Sequence, residues 1–534
     1  MLGQLADVYN HAGRFFGGWV DPLCARVSVE QVNSGDAEAM LEVGWTDKQT
    51  YPDVWTPASS AWVQLLLARA PGQAGLIPAD YARKRLFTSP LVIAMPAPMA
   101  AALGYPAIGW SDIFALATNP AGWGAKGHPA WGPFRLGKTN PHVSTSGLHA
   151  LIGTYYAIHA DRSPATVNAA ATQTLAAGIE RSVIHYGETA NDFLRNLQDV
   201  DNHSSADPDH LAVLQYVSAI AVEEKEVVDY NLGKVGSTQF PEPFVKLLPV
   251  YPNEGTLTAD HPYITLTSSV KQAAAQDFYD FLREPRQQRF ADQSGFRQDN
   301  GEPGPWLGRQ GVSVLRPNQV RSPAGNVLSA EVNAWDGLRK PARVMILIDR
   351  GAPRAALNKA IADLQNALQG FKPQDRIMVA TYPAKPESSE DYFVLQPMTP
   401  ADRAHLPLLQ QQLSVATIVS GKASPLIVDA ALESAVAWMR TSYDPAAINA
   451  ILLVEPAPGT GSATSDAQLL HDLRAQPISK FVHIFAVGPK KSNCQPPGSD
   501  PAACWLERIA LAGEGASYAP DAASHFLTDA ISNF

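Results

Sequence analysis

Charged residues are scarce in this sequence. Asp, Glu, Lys and Arg make up 17% of its 534 residues, and the excess of acidic residues gives a net charge of −10. An average soluble protein has about 25% charged residues. A negative chain with few cations neutralises a phosphate backbone poorly, so the composition argues against nucleic-acid binding. Hydrophobic residues make up 46% of the chain, which excludes wholesale disorder because enough apolar surface exists to offset chain entropy.

The sequence also lacks an uninterrupted apolar run long enough to cross a membrane. The most apolar stretch, 91–110, contains Pro96, Pro98 and Pro106, and proline inside a helix removes a hydrogen bond and causes a steric clash. This stretch is predicted to form a strand, a turn and a short helix. No charged segment followed by an apolar core is visible at the N-terminus, so no signal peptide is recognised.

Motifs of common hydrolases are missing as well. The sequence contains neither a Gly-x-Ser-x-Gly nucleophile elbow nor a His-Glu-x-x-His zinc pair. Its 13 histidines are scattered, and an isolated histidine is more often a satisfied polar residue than a ligand or a base. Residues 132–139 match the spacing of a nucleotide-binding P-loop, but Asn140 and Pro141 stop a helix where that motif requires one to begin. The sequence therefore predicts a protein that is neither an enzyme nor a nucleotide binder.

A segment rich in aromatic and hydroxyl side chains is the first candidate ligand site. Trp55, Ser59 and Ser60 lie between a probable strand end and a helix that begins near Trp62. Such a segment can stack on a ligand or hydrogen-bond to it. In the alternative interpretation, the two tryptophans are ordinary core residues.

A second candidate site lies at the start of a strongly periodic helix. The hydroxyl side chains of Ser144, Thr145 and Ser146 precede the apolar positions of 148–156. The free backbone N–H groups at a helix N-terminus favour an anion or a polar ligand. In the alternative interpretation, one of the three residues caps the helix and the others are solvated.

The chain length predicts roughly three to four domains of about 100–200 residues. Near the N-terminus, residues 26–32 alternate like a strand between two helical stretches, which indicates an α/β pattern. After a Gly/Pro-rich stretch at 301–325, strand-like and helix-like segments alternate, with strands predicted at 344–348, 377–381, 451–454 and 482–487. This alternation predicts a doubly wound, Rossmann-like parallel sheet with any site at the carboxyl ends of its strands.

Residues 1–300 resemble the bacterial extracellular solute-binding proteins of ABC-type transport. The segments that carry the resemblance are Pro52-Asp53-Val54-Trp55, Ser89 to Met95, Gly109-Trp110-Ser111-Asp112, Asn140 to Gly147 and Tyr251 to Thr256. The resemblance implies a two-lobed, periplasmic-binding-protein-like α/β module outside the cytoplasm. Lobe one would comprise 1–90 plus 245–300 and lobe two 91–244.

The same resemblance implies a solute held in the cleft between the lobes. The solute would be an oxyanion, a sugar or an amino acid. The residues expected to face it are Trp55, Ser59, Ser60, Ser144, Thr145, Ser146, Tyr186 and Glu254. Family members begin with a leader segment and a buried strand. The sequence is expected to lack both, so membrane association would require such a segment or a partner.

Residues 335–534 resemble a von Willebrand factor A domain, and 301–334 are predicted to be the linker before it. The resemblance is carried by Lys340-Pro341-Ala342 before the first strand, by Asp349 after it, by the turn at Ser424 and by 506–512. It implies a domain that docks a protein partner. The two resemblances together predict a non-enzymatic binding protein; the alternative is an adhesion scaffold whose cleft binds no solute.

The metal-adhesion motif of the A-domain family is degenerate in this chain. Matching its positions gives Asp349, Ser424 and Glu455 as the surviving oxygen ligands, with Gly351 and Pro353 where two serines belong. Magnesium requires near-ideal octahedral oxygen coordination. The resemblance therefore implies a poor site for Mg²⁺ and a partner interaction that does not depend on a metal, and no other cofactor is expected.

The three cysteines are too few for a disulfide framework. Cys494 and Cys504 bracket a loop rich in Pro, Gly and Ser, and a bridge between them would close a short ring. Such a ring would stabilise the fold by roughly 2–3 kcal/mol. This pairing is expected in an oxidising, extracytoplasmic compartment.

Overall fold

The computed structural model describes residues 1–16, 23–46, 50–159, 163–205, 207–236, 238–383, 390–416, 425–456, 465–489, 504–518 and 530–531. Within these residues the chain forms two compact units. Unit 1 comprises Met1–Ser182, Ser218–Leu232 and Val245–Leu338, and unit 2 comprises Val183–Val217, Gly233–Phe244 and Arg339–Phe534.

Helices and strands alternate along both units, which confirms the predicted mixed α/β class. The helices are α1 Leu2–His11, α2 Ser34–Val43, α3 Ser60–Arg69, α4 Ala97–Ala102, α5 Trp110–Ala117, α6 Thr145–Ile158, α7 Pro164–Val167, α8 Ala170–Glu180, α9 Ala190–His203, α10 Leu211–Tyr216, α11 Glu224–Asn231, α12 Gln272–Leu282, α13 Pro285–Gln293, α14 Gly325–Leu338, α15 Arg354–Ala367, α16 Leu406–Ser414, α17 Pro425–Thr441, α18 Ser465–Arg474 and α19 Trp505–Ala512. The strands are β1 Val54–Trp55, β2 Ser89–Pro96, β3 Leu136–Thr139, β4 Val183–Gly187, β5 Ala219–Glu223, β6 Lys234–Val235, β7 Thr238–Gln239, β8 Leu247–Val250, β9 Thr258–Ala259, β10 Ile264–Thr265, β11 Ala342–Asp349, β12 Arg376–Tyr382, β13 Phe393–Pro400, β14 Ile448–Val454, β15 His483–Val487 and β16 Ser517–Tyr518.

Strand β2 is an interior strand of the mixed sheet of unit 1. It lies between β5 and β8 and is antiparallel to both, with Leu91 opposite Glu223 and Ile93 opposite Val250. Strand β3 runs parallel to β5. Every residue of β2 is buried, because the sheet is covered on both faces, and this explains why its sequence is an unbroken apolar run.

The predicted strand at 26–32 does not form. The N–H group of Val27 donates to Asn10 Oδ1 at 2.7 Å, and the carbonyl of Val27 accepts from Asn10 Nδ2 at 2.8 Å. A side chain of α1 therefore satisfies the backbone groups that a neighbouring strand would otherwise pair with.

Residues 301–338 are part of unit 1 and do not form a linker. Arg297 is 1% exposed and donates to the carbonyls of Gly301, Ser313 and Leu315 at 3.1, 2.7 and 3.3 Å. Helix α14 follows and packs on α3, α6, α7 and α8 with its apolar face buried. The Gly/Pro-rich segment whose composition suggested a linker is therefore held in place by hydrogen bonds from the buried Arg297.

Unit 2 contains the doubly wound sheet predicted for the C-terminal region. Its strand order is β13-β12-β11-β14-β15-β16, and β13 is antiparallel to β12 while the other neighbours are parallel. Val344, Ile346 and Ile348 of β11 enter one hydrophobic core, whereas Met345 and Leu347 enter the core on the opposite face. Helices therefore cover both faces of this sheet, as in a Rossmann-like domain.

Unit 2 also includes 183–217 and 233–244, which the predicted boundaries assign to lobe two. The imidazole of His185 in β4 lies 5.0 Å from that of His483 in β15. An ion pair joins Arg195 of α9 to Glu507 of α19, and a second joins Asp199 to Arg474. The compact units therefore follow packing and not the predicted lobes, and the two-lobe division stays a prediction.

Helices of the described residues are all too short or too polar to cross a membrane.

Candidate functional site

A hydrogen-bonded seam joins α3 to α6 inside unit 1. The indole Nε1 of Trp62 donates to Thr145 Oγ1 at 2.8 Å, and both residues are buried. His149 Nε2 lies 2.9 Å from Ser59 Oγ. Each contact joins a residue of predicted lobe one to a residue of predicted lobe two. We call this set of four residues the α3–α6 seam.

The first residues of α3 and α6 position the hydroxyl groups of the seam and of the hydroxyl cluster next to it. Ser59 caps α3 and its Oγ accepts from the backbone N–H of Ala61 at 3.2 Å. Ser144 is the N-cap residue of α6, and its Oγ lies 3.0 Å from Ser146 Oγ, which lies 3.3 Å from Thr139 Oγ1. The predicted position of the hydroxyl cluster at a helix N-terminus is therefore correct.

Glycine is required beside this cluster. A Cβ atom on Gly147 would lie 2.4 Å from the carbonyl oxygen of Thr139. Because Gly147 has no side chain, the first turn of α6 can approach the end of β3 closely enough for Ser146 and Thr139 to be in contact.

Several buried polar atoms, on a seam residue or on residues of the neighbouring chain segments, have no hydrogen-bond partner among the described residues. They are Trp55 Nε1, Thr56 Oγ1, His149 Nδ1 and His261 Nε2. The backbone N–H of His261 donates to the carbonyl of Ala58 at 3.1 Å, which places this histidine beside the same loop. Buried polar groups are usually hydrogen-bonded, so these atoms are candidates for a bond to a ligand or to water.

The two histidines are uncharged at physiological pH. Burial lowers the pKa of His149 to about 3, because desolvation disfavours the imidazolium form. Burial, with a smaller contribution from His149, lowers the pKa of His261 to about 3 as well. The seam therefore offers neutral hydrogen-bonding groups and no positive charge from these residues.

Of the eight predicted solute-binding residues, only Ser59 and Thr145 belong to the seam. The backbone N–H of Ser60 donates to Asp260 Oδ1 at 2.7 Å. Tyr186 is buried in unit 2, where its hydroxyl accepts from the backbone N–H of Lys340 at 3.0 Å.

Glu254 caps α5. Its carboxylate accepts from the backbone N–H groups of Trp110 and Ser111 at 2.9 and 3.3 Å. Burial alone would raise the pKa of Glu254, but hydrogen bonds to its carboxylate, first from its own backbone and then from Trp110 and Ser111, outweigh burial and lower the pKa below its ordinary value. A solute that used Glu254 would have to compete with the helix N-terminus that the carboxylate already stabilises.

Sequence reasoning missed His149 and Thr139. His149 follows Thr145 by four residues and therefore lies on the same face of α6, which is a signal that the sequence contained. Thr139 ends a strand far from α3 in sequence, and no local pattern marks it as a neighbour of Ser146.

In unit 2 the carboxyl ends of neighbouring strands bring Asp349 and Glu455 together. Asp349 lies opposite Tyr382 in the register of β11 and β12, and Ile348 lies opposite Val454, the residue before Glu455. The Tyr382 hydroxyl donates to Glu455 Oε1, and Asp349 Oδ1 accepts from the N–H group of Gly351 at 2.7 Å. Two of the predicted metal ligands are thus engaged by groups of the protein.

The remaining residues fit a divalent cation poorly. Ser424 lies outside the described residues, and Gly351 and Pro353 carry no side-chain oxygen. The described part of the chain contains no group of three or more His, Cys, Asp or Glu side chains arranged to hold a metal ion. Asp349 and Glu455 already accept hydrogen bonds within the protein, so a divalent cation would compete for these oxygens; the absence of a metal here stays a prediction.

Glu455 should make the stability of unit 2 depend on pH. Burial, and next the charge of Asp349, raises the pKa of Glu455 to about 8 from an ordinary value of 4.5. Between these values the folded state holds a proton that the unfolded state has lost, so the free energy of unfolding falls as pH rises from 4.5 to 8. Glu455→Gln keeps an acceptor for Tyr382 and removes this dependence.

The measurement is chemical denaturation of the full chain at pH 5 and pH 8.5. The stability difference between wild type and Glu455→Gln should change by about 2 kcal/mol or more between the two pH values. Glu302→Gln, which alters an exposed glutamate, should show no such change. An equal difference between wild type and Glu455→Gln at both pH values would contradict the assigned protonation of Glu455.

The cysteines are only partly described. Cys504 is disulfide-bonded, and Cys24 is a free thiol. Cys494 lies outside the described residues, so its pairing with Cys504 stays a prediction.

The fold and the two sites define an α/β protein with a buried polar seam in one unit and a doubly wound domain in the other. Residues 5–297 match the family model of bacterial extracellular solute-binding proteins. The match covers more than half of the chain, and the chain belongs to this family. No curated protein sequence matches the chain significantly.

Solved structures of solute-binding proteins and of a von Willebrand factor type A protein resemble parts of the chain at low identity. The sulfate-binding protein SubI from Mycobacterium tuberculosis is 17% identical, with 50% of this chain and 74% of that chain covered and a TM-score of 0.32. The ferric binding protein from Campylobacter jejuni is 11% identical, with 57% and 88% covered and a TM-score of 0.39. A von Willebrand factor type A protein from Catenulispora acidiphila is 15% identical, with 36% and 42% covered and a TM-score of 0.26. The chain therefore spans less than half the length of the Catenulispora protein.

Proposed function

We propose that this chain is a non-enzymatic, extracytoplasmic binding protein with two functions. Unit 1 holds a small solute beside the α3–α6 seam, and the C-terminal domain of unit 2 docks a protein partner. The observation that carries the first function is the set of buried, unpartnered polar atoms around the seam, above all Trp55 Nε1 and His149 Nδ1. Membership of an extracellular solute-binding family supports both the function and the compartment.

A solute would satisfy groups that are costly to bury alone. Leaving a buried donor or acceptor unpaired costs about 1–3 kcal/mol. A ligand that bonds to Trp55 Nε1 and His149 Nδ1 removes this cost, which favours the bound state. Because the histidines are neutral, the solute must be recognised through hydrogen bonds; oxyanions, sugars and amino acids all offer them.

A specific observation favours a second candidate, a scaffold whose cleft binds no solute. The hydroxyls of the seam and of the neighbouring cluster at the start of α6 already bond within the protein: Thr145 accepts from Trp62, Ser59 contacts His149, and Ser146 contacts Thr139. Glu254 also occupies the N-terminus of α5. A seam that is satisfied internally can serve stability alone, and partner docking would then be the whole function.

We also propose that docking by the C-terminal domain requires no divalent cation. The support is chemical, since the serine positions of the adhesion motif hold Gly351 and Pro353 and Glu455 accepts from Tyr382. Removal of divalent cations by a chelator should therefore leave ligand recognition at this edge of the sheet unchanged.

A thermal-shift screen of oxyanions, sugars and amino acids on the full chain tests solute binding. One class should raise the unfolding midpoint, since a ligand at 100 times its Kd adds about 2.7 kcal/mol. Trp55→Phe removes the unpartnered N–H group and should abolish this stabilisation.

Trp123→Phe is the matched control. Trp123 is also buried, but its Nε1 already donates to Ser218 Oγ at 2.8 Å. This variant should lower the starting midpoint and keep the stabilisation by solute. Equal loss of the solute effect in both variants would show that the seam is not the binding site.

A further inference from the structure

A carboxyl group and an imidazole ring lie side by side next to the α3–α6 seam. His261 Nε2 is 4.0 Å from Glu223 Oε2, which is too far for a hydrogen bond, and this nitrogen has no partner among the described residues. The backbone N–H of His261 donates to the carbonyl of Ala58, the residue before Ser59 of the seam. The side chains of Glu223 and His261 are each 14% exposed, so the pair is not sealed from solvent.

His149 connects this pair to the seam. It lies close enough to His261 to contribute to the lowered pKa of that residue, and its Nε2 contacts Ser59 Oγ. Its other ring nitrogen, Nδ1, has no partner in the described part of the chain, although only 1% of the residue is exposed. A neutral imidazole offers a lone pair on one ring nitrogen. The pair and the seam together therefore offer a carboxyl group and two imidazole rings to a solute.

A second carboxyl group lies beside that of Glu223 at the start of α11. Glu226 Oε2 accepts from the backbone N–H of Glu223 at 3.2 Å. Lys225 lies between the two glutamates in sequence, but its ammonium group forms an ion pair with Asp229. The cation closest to them in sequence is therefore already engaged.

The surroundings of Glu223 disfavour its negative charge. Burial, and next the charge of Glu226, raises the pKa of Glu223 above its ordinary value; the charge of Lys225 and a hydrogen bond from Ser89 act in the opposite direction and do not outweigh them. Burial raises the pKa of Glu226 as well, against the charge of Lys225. A cation within about 4–6 Å favours the ionised form of a carboxyl group, so these two groups would stabilise added positive charge.

We propose that the solute carries a primary ammonium group, as an amino acid or an alkylamine does, and that this group binds between Glu223 and His261. The inference rests on the proposed binding of a solute beside the seam. An ammonium nitrogen at about 2.7–2.9 Å from each acceptor can bridge two atoms that are 4.0 Å apart. Its three N–H donors match carboxylate oxygens and imidazole lone pairs. An oxyanion would instead meet two carboxyl groups, and a sugar would bring no positive charge.

Binding of such a solute should release a proton. The ammonium group favours the ionised form of Glu223, so a proton that the free protein holds below the raised pKa leaves when the solute binds. Affinity should therefore increase with pH, by up to about tenfold per pH unit, and should level off once Glu223 is ionised in the free protein. An alkylamine stays protonated over this range, because its pKa is about 10.

Matched probes test the assignment on the full chain. The ammonium pool contains the common L-amino acids and the alkylamines from methylamine to butylamine. In the matched pool of hydroxy acids and alcohols, a hydroxyl group replaces each ammonium group. Only members of the ammonium pool should raise the unfolding midpoint. Calorimetric titration of the active member at pH 6, in two buffers of different ionisation enthalpy, should then show release of up to about one proton per solute.

Glu223→Gln removes the charge and keeps the size of the side chain. Glutamine resembles the protonated glutamate, so the midpoint of the free protein at pH 6 should not change. Affinity for the ammonium solute should fall at least about tenfold, and proton release should disappear. Glu302→Gln, which alters an exposed glutamate, should keep both. Because proton release is measured on the wild type, it tests the proposal even if the variant does not fold.

The outcomes separate this proposal from the proposed solute binding itself. Binding of an oxyanion or a sugar alone, lost in Trp55→Phe, would leave solute binding standing and overturn the ammonium assignment. Ammonium binding without proton release, or with an affinity that Glu223→Gln leaves unchanged, would also overturn the assignment. Absence of binding by every solute class would contradict the proposed function and, with it, this inference.

Discussion

Replacing Arg297 by methionine should lower the free energy of unfolding by about 3–5 kcal/mol. Its guanidinium donates to both carboxylate oxygens of Glu224, which is 0% exposed, and to three backbone carbonyls of 301–315. The Tyr251 hydroxyl also donates to Glu224 and accepts from the N–H group of Ser313. Loss of Arg297 would leave a buried carboxylate without its counter-ion and several carbonyls without a partner. The change is measured by chemical denaturation of the full chain.

A double replacement distinguishes this network from a simple ion pair. Arg297→Met combined with Glu224→Leu should recover little stability, because the carbonyls of Gly301, Ser313 and Leu315 stay unpaired. Arg316→Ala is the control, since Arg316 and Glu302 form a pair that is more than half exposed, and it should cost at most about 1 kcal/mol. A cost for Arg297→Met within that same limit would refute the structural role assigned to this network.

Lys138→Met should destabilise the chain by a similar amount, about 3–5 kcal/mol. We expect no nucleotide binding by the wild type or by this variant. The Lys138 ammonium forms an ion pair with Glu180, and both side chains are 1% exposed. Trp335 of α14 donates to the other carboxylate oxygen of Glu180 at 3.3 Å. Lys138 lies inside β3, and α6 begins only at Thr145, so this lysine cannot reach a phosphate in the way the P-loop motif requires.

Here the double replacement should behave differently. Lys138→Met with Glu180→Leu removes both charges, and exchanging a buried pair for apolar residues is often neutral or stabilising, so most of the lost stability should return. Lys271→Met, in an exposed pair with Asp53, is the control. ATP binding that is abolished by Lys138→Met would contradict the account of this lysine.

The sequence was sufficient for the doubly wound sheet, since β11, β12, β14 and β15 are short apolar runs separated by periodic helices. Strand β13 was not predicted. It carries Pro397 and Pro400, and only two of its eight residues, Gln396 and Thr399, are buried. Proline is tolerated in an edge strand, where one side of the backbone needs no partner, but in sequence it suggests a loop.

The site was predictable only where its residues are local. Ser144, Thr145 and Ser146 precede a periodic helix, and the sequence placed them at its N-terminus. The bond between Trp62 and Thr145 spans 83 positions, and no spacing rule reveals such a contact. His149 was not predicted, although its position four residues after Thr145 places it on the same face of α6.

The central claim is that unit 1 binds a solute beside the α3–α6 seam, and calorimetric titration of the full chain tests it most directly. The solute class that raises the unfolding midpoint should bind with one solute per chain. Binding should be lost in Trp55→Phe and retained in Trp123→Phe. Absence of heat with every oxyanion, sugar and amino acid tested, or binding that Trp55→Phe leaves unchanged, would contradict the claim and favour a scaffold whose cleft binds no solute.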